Sequence, residues 1–176
     1  GSVPHQLIFL ALKRYGVSEH WISLIKIYYS GLWSKCFSDT SQSDWHQHFR
    51  GIFIGCTLSK NLFLAAINII IEYTLNMQKQ HILFLPNNVP PMKAFMDDLF
   101  LMTLSPTSTQ ALLNRCTMAL SWARMTFRAL KSRSIVMKAE KVLNVTPLEV
   151  HNNINNSVDL IPSIASNPVR FLGRRI

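Results

Sequence analysis

Acidic side chains are scarce in this 176-residue sequence, which has nine Asp and Glu against eighteen Lys and Arg. The formal charge of +9 at pH 7 and the pI near 9.8 favour a polyanionic partner. The basic residues gather late in the chain, in the segments 124–141 and 170–175. A solvated basic face is the simpler interpretation of such a run.

Cysteine is equally scarce. Cys36, Cys56 and Cys116 are too widely spaced for a zinc knuckle or ribbon, and an odd number excludes a fully paired disulfide framework. Free thiols are typical of a reducing compartment, so we expect an intracellular protein, with nucleus and cytoplasm both open.

A long hydrophobic run is missing too. The most apolar stretch, residues 62–71, is interrupted by Asn68 and is about half as long as a bilayer-spanning helix. No signal peptide pattern is present either. We therefore expect no membrane association.

Apolar spacing predicts four helices. Residues 4–15 and 18–30 have helical periodicity, with Ser18 as the expected N-cap. Glycine and proline are absent from the run that starts at residue 57 or 59 and ends at 77, which predicts a long buried helix capped by a hydroxyl. Ser105 followed by Pro106 introduces the fourth helix.

Strand patterns alternate with these helices. Residues 32–40 and 45–54 predict a hairpin, and residues 134–138 and 142–146 predict a further strand pair. The polar, Asn-rich segment 149–159 is predicted to be a loop, followed by a last short strand within residues 161–172.

Two of the few carboxylates stand side by side, because Asp97 and Asp98 interrupt the otherwise apolar stretch 93–103. Adjacent carboxylates repel each other and lose hydration on burial, so they stay ionised only beside a metal ion or basic groups. Mg²⁺ is the predicted ion, with Mn²⁺ as the alternative, because one or two carboxylates plus water and phosphate oxygens are the usual magnesium ligands at phosphoryl-transfer sites.

Geometry restricts where such a pair can act. Adjacent side chains in a regular strand point to opposite faces, whereas a tight turn lets both reach one ion. Residues 92–96 and 99–103 are short apolar-rich runs, which predicts a hairpin with both carboxylates at its tip. A solvated turn on an ordinary hairpin remains the alternative.

The order of several motifs resembles a known family. The motifs are Ser2-Val-Pro-His5, Ala11-Leu-Lys-Arg-Tyr-Gly-Val17, Arg50-Gly-Ile-Phe-Ile-Gly-Cys-Thr-Leu-Ser59, Phe95-Met-Asp-Asp98, Trp122-Ala-Arg-Met-Thr-Phe127, Lys131-Ser-Arg-Ser134 and Phe171-Leu-Gly173. Together they resemble the reverse transcriptases, or RNA-directed DNA polymerases, of non-long-terminal-repeat retrotransposons over nearly the whole chain.

The resemblance implies a palm-like α+β fold, in which helices pack on one face of a mainly antiparallel sheet. It also implies nucleotidyl transfer from a deoxynucleoside triphosphate to a DNA primer 3′-hydroxyl, directed by an RNA template and dependent on Mg²⁺. Asp97 and Asp98 match the catalytic metal ligands, with Asp97 as the main one, and Lys131 matches a basic residue near the leaving pyrophosphate.

The resemblance assigns two further groups of residues. Gly55 and Ser59 match the loop and helix start under the template and incoming nucleotide, where glycine allows close approach and a helix N-terminus suits phosphate. The turn that grips the primer end is matched by Phe171, Leu172 and Gly173. Each residue also has a plain structural interpretation, as a turn glycine, a surface charge or a core side chain.

Several departures limit the expected activity. The further catalytic Asp of the family lies before the Ser-Val-Pro-His segment, so residues 1–176 are interpreted as a partial domain, a palm with some fingers elements but without the thumb. Ile54, Lys60 and Ala129 replace residues that relatives usually have as Gln, Pro and Pro. We therefore expect little polymerase activity from this segment alone.

Two other functions remain open. A retroelement remnant or domesticated palm would bind nucleic acid or protein without catalysis, and exposed palm surfaces would promote self-association. A nuclease or another magnesium phosphoryl transferase would also explain paired aspartates, but not the order of the other motifs.

Overall fold

The chain folds into an α+β structure. The computed structural model describes residues 3–53, 55–76, 89–95, 98–139, 141–143, 147–152, 157–165, 170–171 and 174–175. The four α-helices among these residues are α1 (His5–Arg14), α2 (Glu19–Ser30), α3 (Ser59–Asn76) and α4 (Pro106–Trp122). All four were predicted, with bounds that differ by one or two residues at most; Met77, the expected end of α3, lies outside the described residues.

The starts of two helices differ from the predictions in how they are capped. Ser105 caps α4 as predicted, because its hydroxyl accepts a hydrogen bond of 3.1 Å from the backbone N–H of Ser108. Ser18 occupies the N-cap position of α2 but makes no capping bond. Ser59 is the first residue of α3, and its hydroxyl donates to the carbonyl of Phe53 at 2.6 Å. The hydroxyl therefore anchors the preceding loop and does not cap the helix.

Strands pair locally along the chain. Among the described residues, each of five antiparallel ladders has two strands. In chain order the strands are β1 (Trp33–Ser34), β2 (His46–Gln47), β3 (Met92–Phe95), β4 (Asp98–Leu101), β5 (Val136–Lys138), β6 (Lys141–Leu143), β7 (Leu148–Asn152), β8 (Ser157–Ile161), β9 (Arg170–Phe171) and β10 (Arg174–Arg175). β1 pairs with β2, β3 with β4, β5 with β6, β7 with β8, and β9 with β10.

Two strand predictions need correction. The segment 149–159 is not simply a loop, since it forms most of a hairpin in which β7 and β8 make five pairs, from Leu148 with Ile161 to Asn152 with Ser157. Val150 of β7 is buried against helix α4, and Ile161 is buried in the same cluster, where β8 packs against the turn of residues 129–131. The Asn-rich residues 153–156 lie outside the described residues. The ladder of β1 and β2 is much shorter than the predicted hairpin of residues 32–40 and 45–54.

The buried side chains form two clusters. The larger joins α1, α2, α3, α4 and β3, with Ile8, Ile22, Ile70 and Met92 among its members. The smaller consists of Leu113, Ala129, Val150 and Ile161. Leu101 and Phe127 pack against both clusters, so the acidic hairpin's second strand links them.

None of the described helices is both long and apolar enough to span a bilayer.

Candidate functional site

The acidic hairpin forms as predicted among the described residues. β3 and β4 pair in a register that matches Met92 with Leu101, Lys93 with Phe100, Ala94 with Leu99, and Phe95 with Asp98. Cross-strand partners share a face, so Met92 and Leu101 turn to the core while Phe95 and Asp98 share the outer face. Asp98 therefore stands at the end of the ladder on its solvent side.

The Asp98 carboxylate is exposed and forms no ion pair with a described residue. Met96 and Asp97, which separate Phe95 from Asp98 along the chain, lie outside the described residues. The predicted meeting of both carboxylates at the hairpin tip therefore stays a prediction. An exposed carboxylate offers the oxygen ligands that Mg²⁺ prefers.

Metal ligation needs more than Asp98. Within the part of the chain that the structure describes, no group of three or more His, Cys, Asp or Glu side chains is placed to hold an ion. Two-metal nucleotidyl transfer requires carboxylates from more than one side. Metal binding by Asp98 therefore stays a prediction.

Gly55 and Ser59 lie in the loop that leads into α3. Gly55 has a φ of +94°, a backbone conformation that residues other than glycine rarely adopt. It is also exposed. Ser59 is buried, with 8% of its surface exposed, and its hydroxyl is engaged by Phe53. Gly55 is accessible to a ligand, whereas the Ser59 hydroxyl is already hydrogen-bonded to the loop.

Lys131 ends a 3-10 turn, Ala129–Lys131, that packs against β8. Its side chain is exposed, and it forms no ion pair with a described residue. The neighbouring Ala129 is 2% exposed and anchors the turn in the smaller core cluster. The turn is therefore held in the core by Ala129 and exposes the Lys131 ammonium group to solvent.

The predicted primer grip is only partly described. Phe171 belongs to β9 and pairs with Arg174 of the antiparallel strand β10. Leu172 and Gly173 lie outside the described residues.

The predicted site residues lie on different packed elements. Helix α3, which begins at Ser59, contacts β3 of the acidic hairpin, while the turn with Lys131 contacts β8. Among the described residues, no hydrogen bond or ion pair joins Asp98, Gly55, Ser59 and Lys131. Their roles in one reaction therefore remain predictions.

Other motif segments do meet. The backbone N–H of Gly51 donates to the Val3 carbonyl at 2.9 Å, and the His5 ring donates through Nε2 to the Gly51 carbonyl at 3.0 Å. Arg50 also reaches the Arg124 carbonyl at 3.5 Å. The first motif thus packs against the third, and the third reaches the fifth, although they are far apart in sequence.

His5 is a structural residue that the sequence reasoning did not single out. Only 8% of its surface is exposed, and its ring stands edge-on to Tyr29 at 4.5 Å. Burial lowers the pKa of His5, although the bond to Gly51 opposes the shift. Its position inside a shared motif was the available signal.

Comparison with known families agrees with this arrangement. No curated protein matches the chain. The family model described as reverse transcriptase (RNA-dependent DNA polymerase) matches residues 1–176, the whole chain. Members of this family are RNA-directed DNA polymerases, which bind a nucleic-acid template and primer and generally use divalent metal ions. With the acidic hairpin and the interlocked motif segments, this match shows that the chain belongs to the reverse transcriptase family.

Proposed function

We propose that this chain is the palm-centred part of a non-long-terminal-repeat retrotransposon reverse transcriptase. In the complete enzyme it transfers a deoxynucleotide to a DNA primer 3′-hydroxyl under the direction of an RNA template. The observation that supports this most is the β3–β4 hairpin, whose last pair, Phe95 with Asp98, leaves a free carboxylate on the solvent face.

Asp98 and its neighbour Asp97 are proposed to hold the catalytic ion. Carboxylate oxygens without basic partners suit a hard divalent cation such as Mg²⁺, which would stabilise charge on the attacking and leaving oxygens when bound. Asp97 is the main ligand in this proposal and Asp98 supports it. Met92, at the other end of the ladder and only 3% exposed, fixes the hairpin to the core.

The surrounding residues have distinct proposed roles. Lys131 presents a cation that can stabilise charge on the leaving pyrophosphate or donate a proton to it. Gly55 lets the template or nucleotide approach the backbone closely. Ser59 acts indirectly, because its hydroxyl ties the Phe53 carbonyl and so shapes the Gly55 loop.

Residues 1–176 alone are proposed to have little activity. A two-metal site takes carboxylates from more than one side, and the described residues offer no further cluster beside Asp98. A longer form that adds another catalytic carboxylate should be active.

Primer extension on an RNA template with Mg²⁺ tests these assignments. We expect extension by the longer form, little from residues 1–176, and loss of the longer form's activity in Asp97→Asn. Asp44→Asn, which removes one exposed carboxylate from a distant hairpin loop, is the matched control. An unchanged rate in Asp97→Asn would remove that residue from the mechanism.

A second candidate function is non-enzymatic binding. Large apolar side chains are unusually exposed on this chain, among them Ile27 at 67%, Phe37 at 75% and Leu130 at 79%. Such surfaces promote self-association or partner binding. Absence of extension by a folded longer form, together with concentration-dependent dimerisation in sedimentation, would favour this candidate over the polymerase.

A further inference from the structure

Lys35, Phe37 and Trp45 form an aromatic–lysine cluster on the hairpin of β1 and β2. Lys35 and Phe37 follow β1, and Trp45 comes directly before β2. The Lys35 ammonium nitrogen lies 5.8 Å from the centre of the Phe37 ring and 6.0 Å from the centre of the Trp45 ring. These distances are typical of cation–π contacts. The hairpin therefore brings one cation against two aromatic rings.

The two rings of the cluster face solvent. Phe37 is 75% exposed and Trp45 is 64% exposed, although large aromatic side chains usually supply much of the buried area of a core or an interface. Neighbouring exposed rings on one hairpin are typical of an interaction surface. The fold therefore leaves two stacking surfaces available to a partner.

The Lys35 charge is not neutralised by a carboxylate. Lys35 is half-buried and forms no ion pair with a described residue. The segment 33–49 has two carboxylates, Asp39 and Asp44, and both side chains are exposed. The contacts with the rings hold the ammonium group beside them and leave its charge available to an anion.

This combination fits one class of partner. An exposed ring gives a nucleobase a surface on which to stack, and an unpaired ammonium group attracts a phosphate. A two-fold symmetric contact with a second copy would bring two Lys35 ammonium groups close together, and like charges repel. An apolar peptide would remove water from the ammonium group without replacing its interactions.

We propose that the aromatic–lysine cluster binds single-stranded nucleic acid at a surface separate from the proposed polymerase site. Bases stack on Phe37 and Trp45, and the Lys35 ammonium group contacts a phosphate. Because Asp39 and Asp44 belong to the same hairpin and repel phosphates, stacking supplies most of the affinity of this surface.

The proposal does not rest on the proposed polymerase function. Asp98 lies on the hairpin of β3 and β4, and Lys131 lies in the turn of residues 129–131, whereas the cluster belongs to the hairpin of β1 and β2. Binding is measured on residues 1–176 with EDTA and without nucleotides. A failure of this binding would therefore leave the polymerase proposal untouched.

The test compares two single-stranded DNA probes with the same number of phosphates. One is a short fluorescein-labelled oligothymidine, and the other is an equally long strand in which every nucleotide is abasic. Fluorescence anisotropy measures the affinity for each. We expect Trp45→Ala to weaken binding of the thymidine probe roughly tenfold and to change the affinity for the abasic probe less than about twofold, because only the first probe has bases to stack. Equal losses for both probes, or no loss for either, would overturn the proposal.

A second pair of variants tests the ring itself. Phe37→Leu keeps an apolar side chain but removes the flat ring, so it should weaken binding of the thymidine probe selectively, whereas Phe37→Tyr should retain the affinity. Trp21→Ala is the matched control, because it removes a comparably exposed Trp, at 60%, from helix α2 and should alter neither affinity. If urea unfolding shows that Trp45→Ala is unfolded, Phe37→Leu supplies the same test.

Lysine variants test the phosphate contact. Lys35→Gln should weaken binding of both probes and lower the slope of log K against log salt by about 0.7, and Lys35→Arg should restore both. An unchanged slope in Lys35→Gln would contradict a phosphate contact by this residue.

Other partners give different results. Duplex DNA keeps its bases stacked inside the helix, so a duplex competitor at equal phosphate concentration should displace the thymidine probe poorly. Equal displacement by the duplex would contradict stacking on the cluster. Loss of a dimer in sedimentation of Trp45→Ala, with unchanged affinity for both probes, would assign the cluster to self-association and overturn the proposal.

Discussion

His5 shows how one buried side chain joins two distant segments. Its ring donates to the Gly51 carbonyl at 3.0 Å and stands edge-on to Tyr29. The neutral ring can make this bond without burying a charge. Protonation would place a cation in an apolar site, next to His48, whose charge also opposes it.

Acid should destabilise the fold through His5. Because its folded pKa is lowered below the ordinary value of 6.5, the unfolded state binds more protons. The contribution is complete above the unfolded pKa and declines as the pH falls through that value toward the folded pKa. We expect the free energy of unfolding, measured with urea, to fall between about pH 7.5 and about pH 5.5.

Variants separate His5 from the other titrating groups. His5→Gln should be less stable at neutral pH but should lose part of this pH dependence, while the exposed His20→Gln should retain it. If the free energy of unfolding changed with pH equally in His5→Gln and in the parent protein, groups other than His5 would be responsible for the pH dependence.

Gly55 has a backbone conformation that favours glycine. Its φ is +94°, yet nothing lies within 4 Å of a Cβ built there. Gly55→Ala should therefore cost about 1 kcal/mol through backbone strain alone. Gly31→Ala is the control, because its φ is −84° and its new Cβ would meet only ordinary contacts at 3.7 Å. Equal stability of both variants in chemical denaturation would argue against strain at Gly55.

At the scale of elements, the acidic hairpin has one buried face and one exposed face, and this difference fixes its register. Met92 is buried, whereas Phe95 is 56% exposed and Asp98 is exposed on the same side. A slip of one residue would bury the carboxylate and expose the core side chains. Core burial thus selects the register that keeps Asp98 available.

Helix starts give a test of capping. Ser105 accepts a hydrogen bond from Ser108 at the start of α4, whereas Ser18 holds the equivalent position of α2 without such a bond. Ser105→Ala should lower the free energy of unfolding by about 1 kcal/mol. Ser18→Ala should cost clearly less. Equal losses in denaturant titrations would show that the Ser105 bond contributes little.

At the scale of the whole molecule, charge and apolar surface act separately. The formal charge is +9, and the chain also exposes many large apolar side chains, such as Trp21 at 60% and Trp45 at 64%. The charge attracts phosphates from a distance, while the apolar surfaces act only on contact. Nucleic-acid binding and self-association should therefore respond oppositely to salt.

Salt titration gives the whole-molecule prediction. Affinity for a single-stranded RNA should fall steeply as salt rises, and Lys131→Gln should reduce the slope of log K against log salt by about 0.7 if Lys131 contacts a phosphate. Lys13→Gln is the control, because Lys13 is already paired with Glu19 at 3.3 Å. A slope unchanged by Lys131→Gln would place this lysine outside the nucleic-acid interface.

The sequence by itself determined the class of the chain and most of its helices. Periodic apolar residues, Ser105 before Pro106, and the absence of glycine and proline in residues 59–76 are local signals, and helices form from local bonds. The acidic hairpin was equally readable, because a short connection pairs neighbouring strands.

Only the tertiary structure decided which distant residues meet. The β7–β8 hairpin escaped prediction because its polar residues resemble a loop. The burial of Val150 against α4, and of Ile161 in the same cluster, becomes visible only after folding. The same holds for the His5–Gly51 bond. Each depends on packing between segments distant in sequence, which local patterns do not encode.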